Sequence, residues 1–393
     1  MKTKVINGDL AALKEQVKHY AYSIGVDKIG FTDAEALTEH LPLVRRRWEA
    51  GYKHAINEGD PDKRISPSLH LPGAKSVISI AVAYPGTATI PESAISSEEG
   101  TALSRGSFSF ISRGMDYHEV ISDKLQKIRD YIMFLVPAAR SVHMVDTGEL
   151  LEKAFAVKAG LGWFGRNTLL VTPEFGSWVC LGELITDIPF PPDRSLNNNC
   201  GSCNACVAAC PTNAIREGED LNIDRCLACL TLGSFMPDPE IREIMGISLY
   251  GCDICQQVCP YNKKSGHDND MQEFSYSYDE AYPVLKEILA LSNKEFRKRF
   301  GHISAAWRGR TPIQRNAVIA AGNLGARDTI PELIDILRSD PRPVLRGLAA
   351  WALGKIGGPL ASQALADVSE KEKDPTVIQE IVQGLGKRPF SKT

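Results

Sequence analysis

The sequence predicts an α/β N-terminal domain, a small cysteine-ligated module and an all-α C-terminal array of helical repeats. Three observations lead there. Strand-like apolar runs alternate with helix-like patterns up to about residue 190. Nine of the ten cysteines fall between 200 and 259. Beyond residue 309 the chain repeats itself with a period near 32. The boundaries this sets are 1–190 for the first domain, 191–265 for the cysteine module, 266–309 for a helical connector and 310–393 for the repeats.

In the first domain, SVISIAVAYP (76 to 85) reads as a strand and DYHEVISDKLQKIRDYIMFL (116 to 135) as a helix. Between them GTATIPESAISSEEGTALSRG (86 to 106) is small, polar and broken by Pro91, and reads as an ordered loop or lid. GLGWFG (160 to 165) matches the G-x-G-x-x-G pattern of dinucleotide sites. That fingerprint must follow a strand and open a helix, whereas these glycines follow the helical ELLEKAFAVKA and are expected to end it. Asp146 lies where a strand-like run meets a helix; from spacing alone, Asp146 and Glu149 fit a helix capping box. A proline-rich step, ITDIPFPPDRSLNNN (185 to 199), closes the domain, because Pro189, Pro191 and Pro192 continue neither a helix nor a central strand.

Composition bounds the function. At 393 residues, with 43% apolar and 24% charged residues, the chain reads as ordinary globular protein of two or three domains. A net charge of -3 argues against a surface wholly committed to nucleic acid, though it leaves room for a local basic patch. The N-terminal MKTKVINGDLAALKEQ lacks the apolar core of a signal peptide, and no run approaches the roughly 20 apolar residues of a membrane helix. The expectation is a cytoplasmic protein with no membrane partner, in which clustered cysteines favour metal ligation over disulfides.

Cys200, Cys203, Cys206 and Cys210, followed by Pro211, reproduce C-x2-C-x2-C-x3-C-P, the bacterial ferredoxin run whose fourth cysteine serves the other cluster. Soft thiolates suit iron, and the short loop wraps three of them around one cluster face. Cys252, Cys255 and Cys259 with Pro260 repeat the end of the pattern, but Leu249 occupies the first ligand position. The missing ligand must come from upstream, from Cys226 or Cys229. The crossing rule then assigns Cys200, Cys203, Cys206 and Cys259 to one 4Fe-4S cluster, and Cys210, Cys252 and Cys255 with the upstream cysteine, taken as Cys226, to a second. Zinc is the alternative for any CxxC pair, but two near-copies of a run closed by Cys-Pro argue against it. Cys180, and Cys229 if unused, read as buried small apolar residues.

The stretch from Lys294 to Arg315 is basic, with aromatic residues interleaved. It reads either as a phosphate-gripping surface using Lys294, Arg297, Arg308, Arg310 and Arg315, or as a solvated basic helix. In the repeats, Ala317/Ala349, Ala320/Ala352, Gly322/Gly354 and Gly325/Gly357 mark the period, and VIQEIVQGLG begins a third copy. Helix pairs of this length stack as HEAT-type repeats do, either as a binding surface or as a plain cap.

Taken together, SIGVDKIGF (23 to 31), MDYHEV (115 to 120), VDTGELLEKA (145 to 154), GSWVCLGELITD (176 to 187), CGSCNACVAACPTNAI (200 to 215), YGCDICQQVCPYN (250 to 262) and WRGRTPIQRNA (307 to 317) resemble the epoxyqueuosine reductases over nearly the whole chain. The resemblance implies a cytoplasmic monomeric oxidoreductase completing queuosine synthesis in tRNA. It implies cobalamin in a corrinoid-binding N-terminal domain, two 4Fe-4S clusters fed by a separate electron donor, and HEAT-like repeats that help to seat a tRNA carrying epoxyqueuosine. It makes Asp146 the proton donor, in a partly apolar pocket that raises its pKa, and places Arg64, Ser109, Asp146, Val171, Thr172, Pro173, Leu181 and Asp253 at the corrinoid. It favours Cys226 over Cys229. No Asp-x-His-x-x-Gly cobalamin motif is present, and residues 107 to 114 match the family only loosely. A reductive dehalogenase-like enzyme shares these cofactors but is usually exported and lacks the repeats. A plain two-cluster electron carrier needs neither flanking domain.

Overall fold

The computed structural model describes residues 9–50, 59–86, 103–146, 148–216, 220–264 and 272–386. Most of the segment read as a loop or lid, 87–102, lies outside the described residues. Contacts divide the chain into two compact units: Met1–Thr87, Met115–Asp224 and Ile254–Ser275 form the first, and Ala88–Gly114, Arg225–Asp253 and Tyr276–Thr393 the second.

The first unit is built on a four-stranded sheet of β1 (Lys28–Asp33), β2 (Ser76–Ala83), β3 (Ser141–Met144) and β4 (Val179–Thr186), in the order β1-β2-β4-β3. Every pair in it is antiparallel. All eight residues of β2 and all eight of β4 are buried, because helices cover both faces. On one face, α2 (Tyr117–Leu135) approaches so closely that a side chain at Gly182 would overlap Ile121 and Leu125. On the other, α3 (Glu152–Lys158) packs Ala154 and Phe155 with Val77 and Ile185. Each such fully buried Val, Leu, Ile or Phe stabilises the sheet by roughly 1.5–3 kcal/mol. The N-terminal helix α1 (Leu10–Ser23) lies along α2, with Tyr20 stacked on Tyr131 at 4.2 Å.

The GLGWFG glycines end α3 as expected. Gly160 takes a positive φ of 80° just after the helix, and side chains at Gly162 or Gly165 would collide with Val171 of the hairpin that pairs Trp163–Phe164 with Leu170–Val171. These glycines serve close backbone packing.

The second unit is organised around the repeats: α5 (Arg310–Leu324), α6 (Ile330–Ser339), α7 (Pro343–Ile356), α8 (Pro359–Ser369) and α9 (Pro375–Gly384), preceded by α4 (Pro239–Met245). The periodic residues have two physical jobs. Gly322 and Gly354 let α5 and α7 meet Trp351 and the backbone of Gly384, where a side chain would clash, while Gly325 and Gly357 follow their helices with φ of 61° and 68°. Residues 225–253 join this unit because α5 holds them: Asn316 Nδ2 donates to the carbonyls of Thr231 (2.8 Å) and Leu249 (2.7 Å). Leu249, standing where a cysteine was absent from the pattern, is wholly buried in this core. Among the described residues no helix is long and apolar enough to cross a membrane.

A buried ion pair ties the ends of this unit together. Arg242 on α4 donates from both terminal nitrogens to Glu380 on α9, at 2.9 and 2.6 Å, with its guanidinium over Trp351. Removing one partner of a buried pair leaves the other uncompensated, so Glu380→Ala is expected to lower stability by about 3–5 kcal/mol. Thermal or denaturant unfolding reads this, and Arg242→Met/Glu380→Met together should recover most of it.

Candidate functional site

β3 runs out at Met144 and the chain turns sharply at Asp146, whose φ of 39° is rare for a residue with a side chain. The turn is held from both sides. Asp146 N–H donates to Glu152 Oε2 at 3.2 Å, and Asp146 Oδ2 accepts from the Tyr117 hydroxyl at 2.9 Å and meets His118 Nε2 at 3.3 Å. On its other side His118 Nδ1 meets Asp116 Oδ1 at 2.7 Å, while the same carboxylate caps α2 through the His118 N–H. Tyr117 and His118 stack at 4.1 Å. The capping box expected from spacing is not formed. Helix α3 starts at Glu152 behind Leu151, and Asp146 faces α2 instead. Thr147 lies outside the described residues.

The electrostatics reverse a second expectation. The hydrogen bond from His118 holds the Asp146 carboxyl below its ordinary range; burial opposes, and Tyr117 adds to the lowering. Burial pulls His118 down, but its two carboxylate partners outweigh that and push it up to about 9. Burial, then the Asp146 charge, drives the Tyr117 hydroxyl upward. The same two causes, in the same order, raise Glu152 to about 7. Glu183, 1% exposed in the middle of β4, is pushed well above the carboxylate range by burial and by the charges of Glu152 and Asp146. At neutral pH the proton therefore rests on His118 rather than on Asp146. Sequence reading singled out Asp146 but missed Tyr117, His118, Glu152 and Glu183. The one local signal was Glu183, a lone acid inside the apolar run VCLGELIT.

Cys200, Cys203, Cys206 and Cys259 border one cavity of about 230 Å³, with Gly165, Val171 and Tyr261. Burial raises Cys206 and Cys259, and the charges of their neighbours, Cys200 among them, add to it. Such crowding of thiolates is relieved by a cationic centre among them. Among the described residues no three His, Cys, Asp or Glu converge as ligands of a single ion do; these four border a shared space. In the first unit Cys210 accepts from the Ala214 N–H at 3.2 Å, and backbone and Thr212 hydrogen bonds outweigh burial and lower its thiol. Cys255 belongs to the same unit, while Cys226, at the head of the short helix Leu227–Thr231, and Cys252 belong to the second. Cys180 and Cys229 are buried.

The positions assigned to a corrinoid divide likewise. Val171, Thr172 and Leu181 are buried, Pro173 is exposed and Arg64 is half-buried in the first unit, where the Arg64 carbonyl accepts from Leu151 N–H. In the second, buried Ser109 donates its N–H to Tyr250, and Asp253 accepts from the Phe110 N–H at 3.0 Å while burial raises it to about 6.

The basic stretch does not act as one surface. Lys294 and Arg297 are exposed on the helix Asn293–Phe300, whose Phe296 and Phe300 turn inward, and Arg308 is exposed beside Trp307 with its guanidinium 4.9 Å from that ring. Arg310 is half-buried and donates to the Leu291 carbonyl. Arg315 is 0% exposed, and its guanidinium donates to the carbonyls of Gly233 and Leu230. The structure thus removes Arg315 from the phosphate-contacting set and commits Arg310 to a carbonyl, because the N-terminal turns of α5 face the interior.

Three family models match the chain: "Epoxyqueuosine reductase QueG, DUF1730" over residues 64–147, "4Fe-4S double cluster binding domain" over 199–262 and "HEAT repeats" over 308–386. Epoxyqueuosine reductase of Bacillus cereus is 43% identical over 378 residues, spanning 96% of this chain and 98% of that one. The Bacillus subtilis enzyme is 44% identical over 375 residues, with 95% of each covered. Among solved structures, an epoxyqueuosine reductase with a tRNA-Tyr epoxyqueuosine-modified stem loop superposes with a TM-score of 0.89 at 42% identity, covering 96% of this chain and 99% of that one. The Streptococcus thermophilus enzyme gives 0.85 at 36%, covering 95% and 98%.

The His118 environment has a measurable consequence. A raised pKa in the folded state means a stabilising contribution complete below the unfolded value of about 6.5 and lost as pH rises through about 9. NMR titration of the His118 ring should give a midpoint near that upper value, and Asp116→Asn should bring it down.

Proposed function

The chain belongs to the epoxyqueuosine reductases, and we propose that it reduces the epoxide of epoxyqueuosine in tRNA to the alkene of queuosine. The observation that carries the chemistry is Asp146, hydrogen-bonded to a histidine that keeps a proton at neutral pH. A relative solved with an epoxyqueuosine-modified stem loop supports tRNA as the substrate. Another, from Bacillus subtilis, is described with a catalytic aspartate loop swung out of the active site, which supports an acid carried on a turn such as that of Asp146.

Two 4Fe-4S clusters and cobalamin are the cofactors. When bound, they supply the electrons that reduce the epoxide and the nucleophilic metal that opens it. The residues suit them. Cys200, Cys203, Cys206 and Cys259 would hold one cluster around their shared cavity, and Cys210, Cys226, Cys252 and Cys255 the other. Val171, assigned to cobalamin, borders that same cavity, so the same short hairpin would serve both groups. Arg64, Thr172, Pro173 and Leu181, and in the second unit Ser109 and Asp253, complete the proposed cobalamin contacts.

The chain's own part in the reaction is proton delivery. Opening an epoxide leaves an oxygen that must gain a proton, and an acid within hydrogen-bond reach supplies it. Asp146 alone is too acidic for this at neutral pH. Paired with His118, it takes the proton at Nε2 as the oxygen becomes basic, and Asp116 fixes the ring that gives it up. Exposed Lys294, Arg297 and Arg308 would meet the tRNA backbone.

Mass analysis of tRNA nucleosides after incubation with the reconstituted protein, cobalamin and a reductant should show epoxyqueuosine converted to queuosine; unchanged nucleoside under those conditions would remove the proposed activity. Asp146→Ala should keep cobalamin and iron yet lose turnover by about 100-fold or more. In the wild type the rate should fall as pH rises through about 9, and in His118→Asn at lower pH.

Iron content separates the two candidate cysteines: Cys226→Ala should lose about half the iron, as one of two clusters fails, while Cys229→Ala keeps it all.

Replacing Lys294, Arg297 and Arg308 together by Ala should weaken tRNA binding and flatten its salt dependence, each lost phosphate contact lowering the slope by about 0.7–0.9. Arg315→Ala should leave that slope unchanged and instead lower the unfolding temperature.

A further inference from the structure

How readily an iron-sulfur cluster takes an electron depends on the charges fixed around it. The cavity bordered by Cys200, Cys203, Cys206 and Cys259 has one cationic side chain at its wall, Arg166. We propose that the Arg166 guanidinium raises the reduction potential of the cluster held there. This rests on the reading that those four cysteines hold one 4Fe-4S cluster.

Local structure fixes Arg166 in place. It sits in the turn of the hairpin that pairs Trp163–Phe164 with Leu170–Val171. Gly165 N–H donates to the Leu169 carbonyl at 2.8 Å and Thr168 N–H to the Gly165 carbonyl at 2.9 Å, with Thr168 at a φ of 64°. The hairpin is also fastened to the cysteine loop, within the same unit. Asn198 Nδ2 donates to the Phe164 carbonyl at 3.0 Å, and its Oδ1 accepts from the Cys200 N–H at 2.9 Å. The Tyr261 hydroxyl donates to the Asn199 carbonyl at 3.0 Å, and its ring meets buried Trp163 at 4.9 Å. Arg166 Nη2 donates to the Gly201 carbonyl at 2.9 Å, inside the turn that the Cys203 N–H closes on the Cys200 carbonyl at 3.0 Å.

Charge sets Arg166 apart from the other fasteners. Its partner is a neutral carbonyl; among the described residues no carboxylate is bonded to it, and no Asp or Glu borders the cavity. The chain from Arg194 to Arg216, which carries three of the four cysteines, contains no acid. A guanidinium keeps its charge at any working pH, so it stands beside the thiolates as a fixed cation. Reduction brings in one electron, from the reductant of the activity proposed above, and moves no proton. The thiolate-bound centre becomes one charge more negative, and a neighbouring cation favours that state over the oxidised one. Cys203 is exposed, so solvent screens part of the effect. The expected scale is a tenfold change in the reduction equilibrium, about 59 mV for one electron.

Redox titration of the holoenzyme, followed by electron paramagnetic resonance, tests this. Arg166→Gln should keep the iron of both clusters and make one of them about tenfold harder to reduce, leaving the other unmoved. Arg166→Lys keeps the charge without the planar fork and should stay within about twofold of wild type. Asn199 is exposed at the border of the same cavity, and Arg166→Gln/Asn199→Lys should recover most of the lost potential. An unchanged midpoint in Arg166→Gln, or an equal fall in Arg166→Lys, would overturn the assignment. Loss of one cluster's iron in Arg166→Gln would make the residue a fastener of the loop, and would overturn it also. Full iron in Cys206→Ala would instead sink the cluster reading beneath it.

Discussion

One imidazole is shared by two carboxylates, and the chemistry assigned to this chain depends on that arrangement. Asp116 meets His118 at Nδ1 and Asp146 meets it at Nε2, so the ring retains its proton at pH values where an ordinary histidine has lost it. Without the ring, Asp146 would be a turn aspartate with an ordinary acidity and no source of protons. With it, the pair carries a proton whose donor and acceptor are already in contact, so delivery needs little rearrangement.

That contact is positioned by the sheet. β3 ends beside β4, and α2 begins beside them, its first residues capped by the same Asp116 that steadies His118. The positive φ at Asp146 turns its side chain back toward α2 while its N–H reaches Glu152 of α3. Helices from both faces of the sheet thus grip one turn. The backbone strain there is offset by three hydrogen bonds within a unit whose central strands are wholly buried.

What could be read from the sequence follows how local each signal is. Cluster ligation was legible because the Cys200 to Cys210 run packs its ligands into a few turns of chain, and the repeats were legible because Gly322/Gly354 and Gly325/Gly357 impose their jobs at a fixed spacing. The antiparallel order of the sheet was not, because β2 and β4 are covered on both faces and show none of the alternation that marks a one-sided antiparallel strand. Nor was the state of Asp146, whose partners Tyr117 and His118 lie 29 and 28 residues earlier. The apolar pocket expected to raise its pKa was outweighed by those two donors. Arg315 misled for a related reason: a basic run on a helix shows its charge in the sequence but not which face turns inward.

Buried ionisable groups in this protein fall into two kinds, and their partners tell them apart. Arg242 is matched by the opposite charge of Glu380, and the terminal nitrogens of Arg315 donate to two carbonyls, although burial still lowers it to about 10; in each case the group ties segments of the unit together. Among the described residues Glu152 and Glu183 have no cation bonded to them, and the charge of Asp146 makes ionisation costlier still. A paired buried charge resists any change of protonation, because losing it strands the partner. An unpaired buried acid is stable only while it keeps its proton.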